Sequence, residues 1–160
     1  MKHKVLHILR DNARLTNEQV ARRVGATEAD VARVVSELEA SKAIVAYKAI
    51  VNPDVIDETT VEAIIEVNAA PKRGRGFDEI ARRIALFPEV QSVYLMSGGS
   101  DFLVFMEAPS IKEIAAFVTE TLATLEDVQG TTTHFVLKKF KKDGVLLHEE
   151  VPAVRLAVTP

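Results

Sequence analysis

The sequence predicts an α+β chain: an N-terminal winged helix-turn-helix joined to a C-terminal βαββαβ, ferredoxin-like domain. Three observations carry this. Two capped helices lie close together in the first forty residues, separated only by Gly25-Ala26-Thr27. From Thr59 onward the apolar spacing changes from helical to alternating. Strand-like and helix-like segments then follow in the order β-α-β-β-α-β.

Val5, Ile8 and Leu9 form one stripe of a first helix. Thr16 has the position of an N-cap, with Gln19 three residues on completing a capping box. Val20 and Val24 face inward, and Gly25 ends this helix as a left-handed cap. Thr27 caps a third helix, with Asp30 at the box position and Val31, Val35 and Leu38 as its apolar stripe. Two capped helices joined by so short a turn cross steeply, which is the helix-turn-helix arrangement. Ala29, Arg33 and Ser36 are left on the outer side, with Ala32 and Glu37 beside them and Thr27, also a DNA-binding candidate, at the helix start. In this motif that side enters the major groove, its N-terminal end nearest the bases. Small residues there permit close approach, and Arg33 can reach guanine or phosphate. Residues 44–51 are strand-like and are expected to form the wing, with Pro53 as punctuation. The other reading of these residues is a three-helix packing unit that meets no nucleic acid.

In the second half, Val61, Ala63, Ile65 and Val67 alternate with Glu62, Ile64, Glu66 and Asn68, a strand. Residues 77–87 read as a helix through Ile80 and Ile84, closed by Pro88. Residues 90–97 and 101–107 read as strands about a Gly98-Gly99-Ser100 turn. Residues 111–125 form a helix with Ile114, Val118 and Leu122 on one face, and 131–140 the last strand. The domains predicted are 1–54, 55–140 and a C-terminal extension, 141–160, whose Val154, Leu156 and Val158 suit an edge strand or a mobile tail. The two central strands are apolar on both faces: Tyr94 and Met96 oppose Val93 and Leu95, and Phe102, Val104 and Met106 oppose Leu103 and Phe105. Helices cover one face only, and an exposed apolar patch is rare on monomers, so sheet-to-sheet dimerisation is expected.

Composition agrees. Apolar residues make up 48% of the 160 and charged residues 27%, a globular balance. Residues 1–54 hold nine Lys/Arg against seven Asp/Glu, while the whole chain carries −3, so the first domain is the less acidic part. There is no cysteine, hence no disulfide and no thiolate metal site. No apolar run approaches the roughly 18 residues of a membrane span. Met1-Lys2-His3-Lys4 leads into a mixed helix rather than a signal-peptide core, and a cytoplasmic location is expected.

Several motifs bear on chemistry. Lys72-Arg73-Gly74-Arg75-Gly76 approaches a dinucleotide loop, but Glu79 stands where the third glycine belongs, and a solvated crossover loop explains it better. His3 and His7 share a helix face without a third ligand, so no metal site is expected. His134 reads as packed or interfacial. Glu126-Asp127 and Glu149-Glu150 read as solvated surface. There is no catalytic set: no cysteine nucleophile, no G-x-S-x-G elbow, no P-loop. The chain is expected not to be an enzyme and to need no cofactor. In Ser97-Gly98-Gly99-Ser100-Asp101 the glycines suit either a hairpin turn or the convergence of N–H groups on an anion.

The order and spacing of Leu15-Thr16, Val24-Gly25-Ala26-Thr27, Val31, Arg33, Val35, Leu38-Glu39, Ile44 and the 47–53 strand resemble the Lrp/AsnC family of leucine-responsive and asparagine-type regulators. So do residues 90–94, Gly98-x-x-Asp101 and Thr131-Thr132-Thr133-His134. The resemblance implies a sequence-specific transcription regulator that binds double-stranded DNA. It implies a homodimer that assembles further to a tetramer or octamer, with an amino acid or related small-molecule effector bound between dimers. The effector-binding residues it implies are Ser97, Gly98, Gly99, Ser100 and Asp101, with Thr131 and Thr133 beside them. Where the family pattern carries arginines this chain has Val34, Ser36 and Glu37, which shifts expected phosphate contacts onto Arg22, Arg23 and Lys48. The competing reading is a ferredoxin-like small-molecule-binding or enzymatic module without specific DNA binding.

Overall fold

The computed structural model describes residues 1–56, 60–71 and 76–148. Thr59, the basic stretch 72–75 and the apolar tail positions Val154, Leu156 and Val158 lie outside these residues. The chain divides into two units, Met1–Val51 and Asn52–Pro160. The division falls three residues before the expected boundary at residue 54. Asn52 belongs with the second unit because its Nδ2 donates to the Leu147 carbonyl at 2.6 Å.

The first unit contains α1 (Lys2–Asp11), α2 (Asn17–Val24) and α3 (Glu28–Ala40). Local chemistry sets each boundary. Thr16 and Gln19 exchange both hydrogen bonds of the capping box. Gly25 ends α2 at φ 69°, a conformation that costs a side-chain-bearing residue strain. Thr27 Oγ1 accepts from the Asp30 N–H and caps α3. Val5, Leu9, Val20, Ala21, Val31, Val34 and Leu38 form the core. The inward stripe of α3 therefore runs through Val34, not through Val35, which is only partly buried. Spacings of three and four both fit a 3.6-residue period, and contact with α1 and α2 selects between them.

The expected wing strand is absent among the described residues. Residues 45–51 pair with no strand, and Val45, Tyr47, Ile50 and Val51 are exposed. Apolar alternation supplies strand propensity, but a ladder needs a neighbour, and this unit offers none.

In the second unit a single turn, α4 (Pro53–Ile56), precedes β1 (Val61–Ala69), α5 (Phe77–Ala85), β2 (Val90–Leu95), β3 (Phe102–Ala108), α6 (Ile111–Glu120), a 3₁₀ turn (Leu122–Thr124) and β4 (Val128–Phe135). The antiparallel sheet has the order β2-β3-β1-β4, that of a ferredoxin-like fold. Opposed residues in an antiparallel pair point to the same face. Ala63, Ile65 and Val67 face Met106, Val104 and Phe102, and pack with Ile80, Ile84, Ile114, Val118 and Leu122 in one core. Each such large side chain contributes about 1.5–3 kcal/mol of burial.

Several boundaries differ from expectation; the 90–97 strand stops at Leu95 and the 101–107 strand runs Phe102–Ala108. The 77–87 helix stops at Ala85. The 111–125 helix stops at Glu120, where Thr121 leaves helical geometry; Thr124 Oγ1 turns back to the Thr121 carbonyl at 2.8 Å, a local bond that competes with helix continuation. The last strand runs Val128–Phe135 rather than 131–140, because β1 supplies partners over that span and ends. Within the expected extension, β5 (Lys141–Lys142) and β6 (Val145–Leu146) form a hairpin, and so the second unit continues past residue 140. Asp127, read as solvated, is 2% exposed, with Arg83 Nη1 3.8 Å from its Oδ2.

Candidate nucleic-acid interface and effector turn

In the first unit the outer side of α3 is open. Thr27, Ala29, Ala32, Arg33 and Ser36 are exposed, as are Arg22 and Arg23 on α2 and Lys48 beyond α3. The cations are not equivalent. Arg33 lies along its own helix, Nη2 3.2 Å from Asp30 Oδ1 and Nη1 3.5 Å from Glu37 Oε1. Glu37 also meets Lys2 Nζ at 2.7 Å. Arg22 pairs with Glu18 one turn back. Arg23 and Lys48 form no ion pair among the described residues. The Thr27 hydroxyl and the Arg33 guanidinium hold the Asp30 carboxyl below its ordinary range. The Lys2 ammonium beside Glu37, with Arg33 behind it, does the same there. Both shifts favour the ionised carboxylates.

In the second unit the turn between β2 and β3 is exposed at Ser97, Gly98 and Gly99. Gly98 has φ 152°, open to glycine and unfavourable to other residues. Asp101 fastens this turn to β1. Its Oδ2 accepts from the Ala69 N–H at 2.8 Å, its own N–H donates to the Val67 carbonyl, and its carbonyl accepts from Met96. The resemblance implies Asp101 among the effector-binding residues; the geometry gives it a bracing role.

Glu66 was not foreseen. It lies on the sheet face away from the helices, where Ser100 Oγ donates to Glu66 Oε2 at 2.6 Å and His134 Nε2 lies 3.2 Å from Oε1. The Ser100 bond and His134 lower its pKa against a smaller effect of desolvation. The alternation of β1 places Glu66 on this face, but only the strand register brings Ser100 and His134 to it. Register also revises the threonines. Thr131 and Thr133 oppose Val67 and Ile65, so they share the helix-covered face, whereas Thr132 and His134 share the face of Glu66 and Ile64.

That open face is mixed rather than uniformly apolar. Ile64, Leu103, Phe105 and Tyr94 lie together, Tyr94 and Phe105 in edge contact at 5.5 Å between ring centres. Around them stand Glu62, which pairs with Lys139, Glu66, Glu107 and His134. A cavity of about 610 Å³ opens here, lined among others by Ile64, Tyr94, Phe105 and Lys139, and by no residue of the 97–101 turn. Among the described residues no group of three or more His, Asp or Glu is placed to hold a metal, and no helix is long and apolar enough to cross a membrane.

Residues 62–146, more than half of the chain, match the family model of the Lrp/AsnC ligand binding domain. The chain belongs to the Lrp/AsnC family. Residues 1–44 of this Lrp/AsnC protein match a winged helix-turn-helix DNA-binding model. It is 41% identical over 158 residues to the uncharacterized HTH-type transcriptional regulator YugG of Bacillus subtilis, covering 98% of this chain and 95% of that one. It is 30% identical over 138 residues to the leucine-responsive regulatory protein of Rhizobium meliloti, covering 86% and 88%. Among solved structures it is similar to a transcriptional regulator of Neisseria meningitidis in complex with L-methionine, at TM-score 0.70 and 27% identity over 88% of this chain and 90% of that one. The protein is thus a DNA-binding transcription regulator with the family's ligand-binding domain, and its relatives are regulators rather than enzymes.

Proposed function

We propose that this regulator reads an operator through the outer side of α3, pairs with a second copy through the open sheet face, and responds to an amino acid at the 97–101 turn. The observation that carries the first part is the exposure of Ala29, Ala32, Arg33 and Ser36 on one side of a helix whose other side is fully used in packing. Arg33 and the small residues make the base contacts, with Thr27 at the phosphate-facing helix start; Arg22, Arg23 and Lys48 contact backbone phosphates. Arg23 and Lys48 are the readiest, since they have no ion pair to break among the described residues.

The second copy is supported by the cluster of Ile64, Tyr94, Leu103 and Phe105 on the sheet face opposite the one that α5 and α6 cover. Dimers then assemble to tetramers or octamers with the 97–101 turn between them. The N–H groups from Gly98 to Ser100 meet the effector's carboxylate, and Asp101 meets its ammonium group. Glu66 joins the set through Ser100, while Thr131 and Thr133 contribute through the sheet rather than by direct contact. A ligand held between two dimers binds different assemblies unequally, and that difference is what lets it redirect DNA binding. The protein works in the cytoplasm, where DNA and free amino acids are both available. The test is retention of fragmented genomic DNA on the full chain, with and without mixed amino acids. One enriched sequence class that shifts with amino acids is expected; no enrichment in either condition overturns the reading.

A further inference from the structure

The helix offered to DNA is acidic. Glu28, Asp30, Glu37 and Glu39 stand on α3 against a single cation, Arg33. A duplex carries one negative charge per roughly 1.7 Å of its axis, so the bare helix is repelled by what it must enter. The disposition of these charges has a pattern. Asp30 and Glu37 lie one turn before and one turn after Arg33, and the guanidinium lies between them at 3.2 and 3.5 Å. Each is also held from its other side: Asp30 by the Thr27 hydroxyl at 2.7 Å, Glu37 by Lys2 at 2.7 Å. Glu39 points elsewhere and accepts from the Tyr47 hydroxyl.

An arginine has five N–H donors in a fixed fork, so bonds to two carboxylates leave donors for a base edge. A guanidinium fixed in this way loses less freedom on binding than a mobile one. The same two carboxylates repel any phosphate that approaches Arg33. We propose that Asp30 and Glu37 are the specificity-determining residues of this DNA-binding face. They position Arg33 for a base edge and disfavour its use on backbone phosphate, so that α3 is retained only where a base compensates the repulsion. This rests on the reading of the outer side of α3 as the DNA-contacting surface.

The experiment compares the full-length wild type with Glu37→Gln and Asp30→Asn. Two probes are used: the duplex most enriched by the wild type from fragmented genomic DNA, and mixed-sequence DNA. Each variant should bind mixed-sequence DNA roughly two- to five-fold more tightly, the range of one exposed charge pair. Neither should gain on the enriched duplex, so the ratio of the two affinities falls. In an Arg33→Ala background, Glu37→Gln should no longer change that ratio, because the change seen in the wild-type background depends on the arginine that the carboxylate positions. Equal gains on both probes, leaving the ratio unchanged, overturn the proposal and reduce the pair to solvated surface charge. The Glu37 side chain takes no part in the cap at the helix start, so Glu37→Gln decides the matter even if Asp30→Asn unsettles that cap. If the wild type enriches no sequence, the reading of α3 itself falls, a result distinct from an unchanged ratio.

Discussion

Arg33 and Arg23 are both exposed arginines of one small unit, but their surroundings differ. Arg33 is held between two carboxylates on α3, the helix proposed to enter the groove, whereas Arg23 has no ion pair among the described residues. Arg33→Ala should cost about 1–3 kcal/mol on the enriched duplex and much less on mixed-sequence DNA. Arg23→Ala should weaken all sequences alike and reduce the salt slope by about 1. Titrations over a range of salt concentrations separate the two. Glu66 makes a prediction about pH. Its pKa in the fold lies below the ordinary carboxylate value, chiefly because Ser100 donates to the ionised form. The stability this bond supplies is therefore complete above the ordinary carboxylate pKa and is lost as pH falls through the depressed value. Glu66→Gln should melt below the wild type near neutral pH, and the difference should shrink as pH falls below the ordinary carboxylate range, as thermal scans from neutral into acid will show.

At the scale of elements, α2 and α3 are joined by a turn that depends on one backbone conformation and two caps. Gly25→Val places a branched side chain at φ 69° and should destabilise the first unit by roughly 1–2 kcal/mol. Thr16→Ala removes half of the capping box and should cost about 1 kcal/mol. Urea unfolding followed by helical circular dichroism measures both, and neither should alter the unfolding of the second unit. In β3, neighbouring residues have opposite fates. Val104 is fully buried against the helices, while Phe105 is on the open face. Val104→Asp buries an unpaired charge, which costs several kcal/mol, and should unfold the second unit. Phe105→Asp should leave it folded.

At the scale of the whole molecule, the same Phe105→Asp variant tests assembly. If the open face joins two copies, light scattering at micromolar concentration should give a dimer or larger species for the wild type and a folded monomer for the variant. A wild-type monomer would remove the sheet-to-sheet interface. Effector binding is tested with Asp101→Asn, which keeps an oxygen to accept from the Ala69 N–H and removes the charge. Calorimetry with the twenty amino acids should find at least one that binds the wild type and is lost in this variant. If none binds at millimolar concentration, the second domain is an assembly module alone.

Much of this protein was legible in the chain itself, wherever the deciding interactions are local. The capping box at Thr16, the left-handed Gly25, the Thr27 cap and the alternation of β1 all join residues a few positions apart, and each was found where the sequence placed it. The order of elements, and with it the ferredoxin-like fold, followed. What tertiary structure decided involves residues far apart. Register set which threonines share a face with Glu66 and brought Ser100 and His134 to it across 34 and 68 residues of sequence. Packing of α3 chose Val34 over Val35 because α1 and α2, not the helix period, define the inward direction. The 44–51 segment shows the same limit from the other side. Its residues favour a strand, but a strand's hydrogen bonds are completed only by a partner, and residue order alone does not say whether one is present.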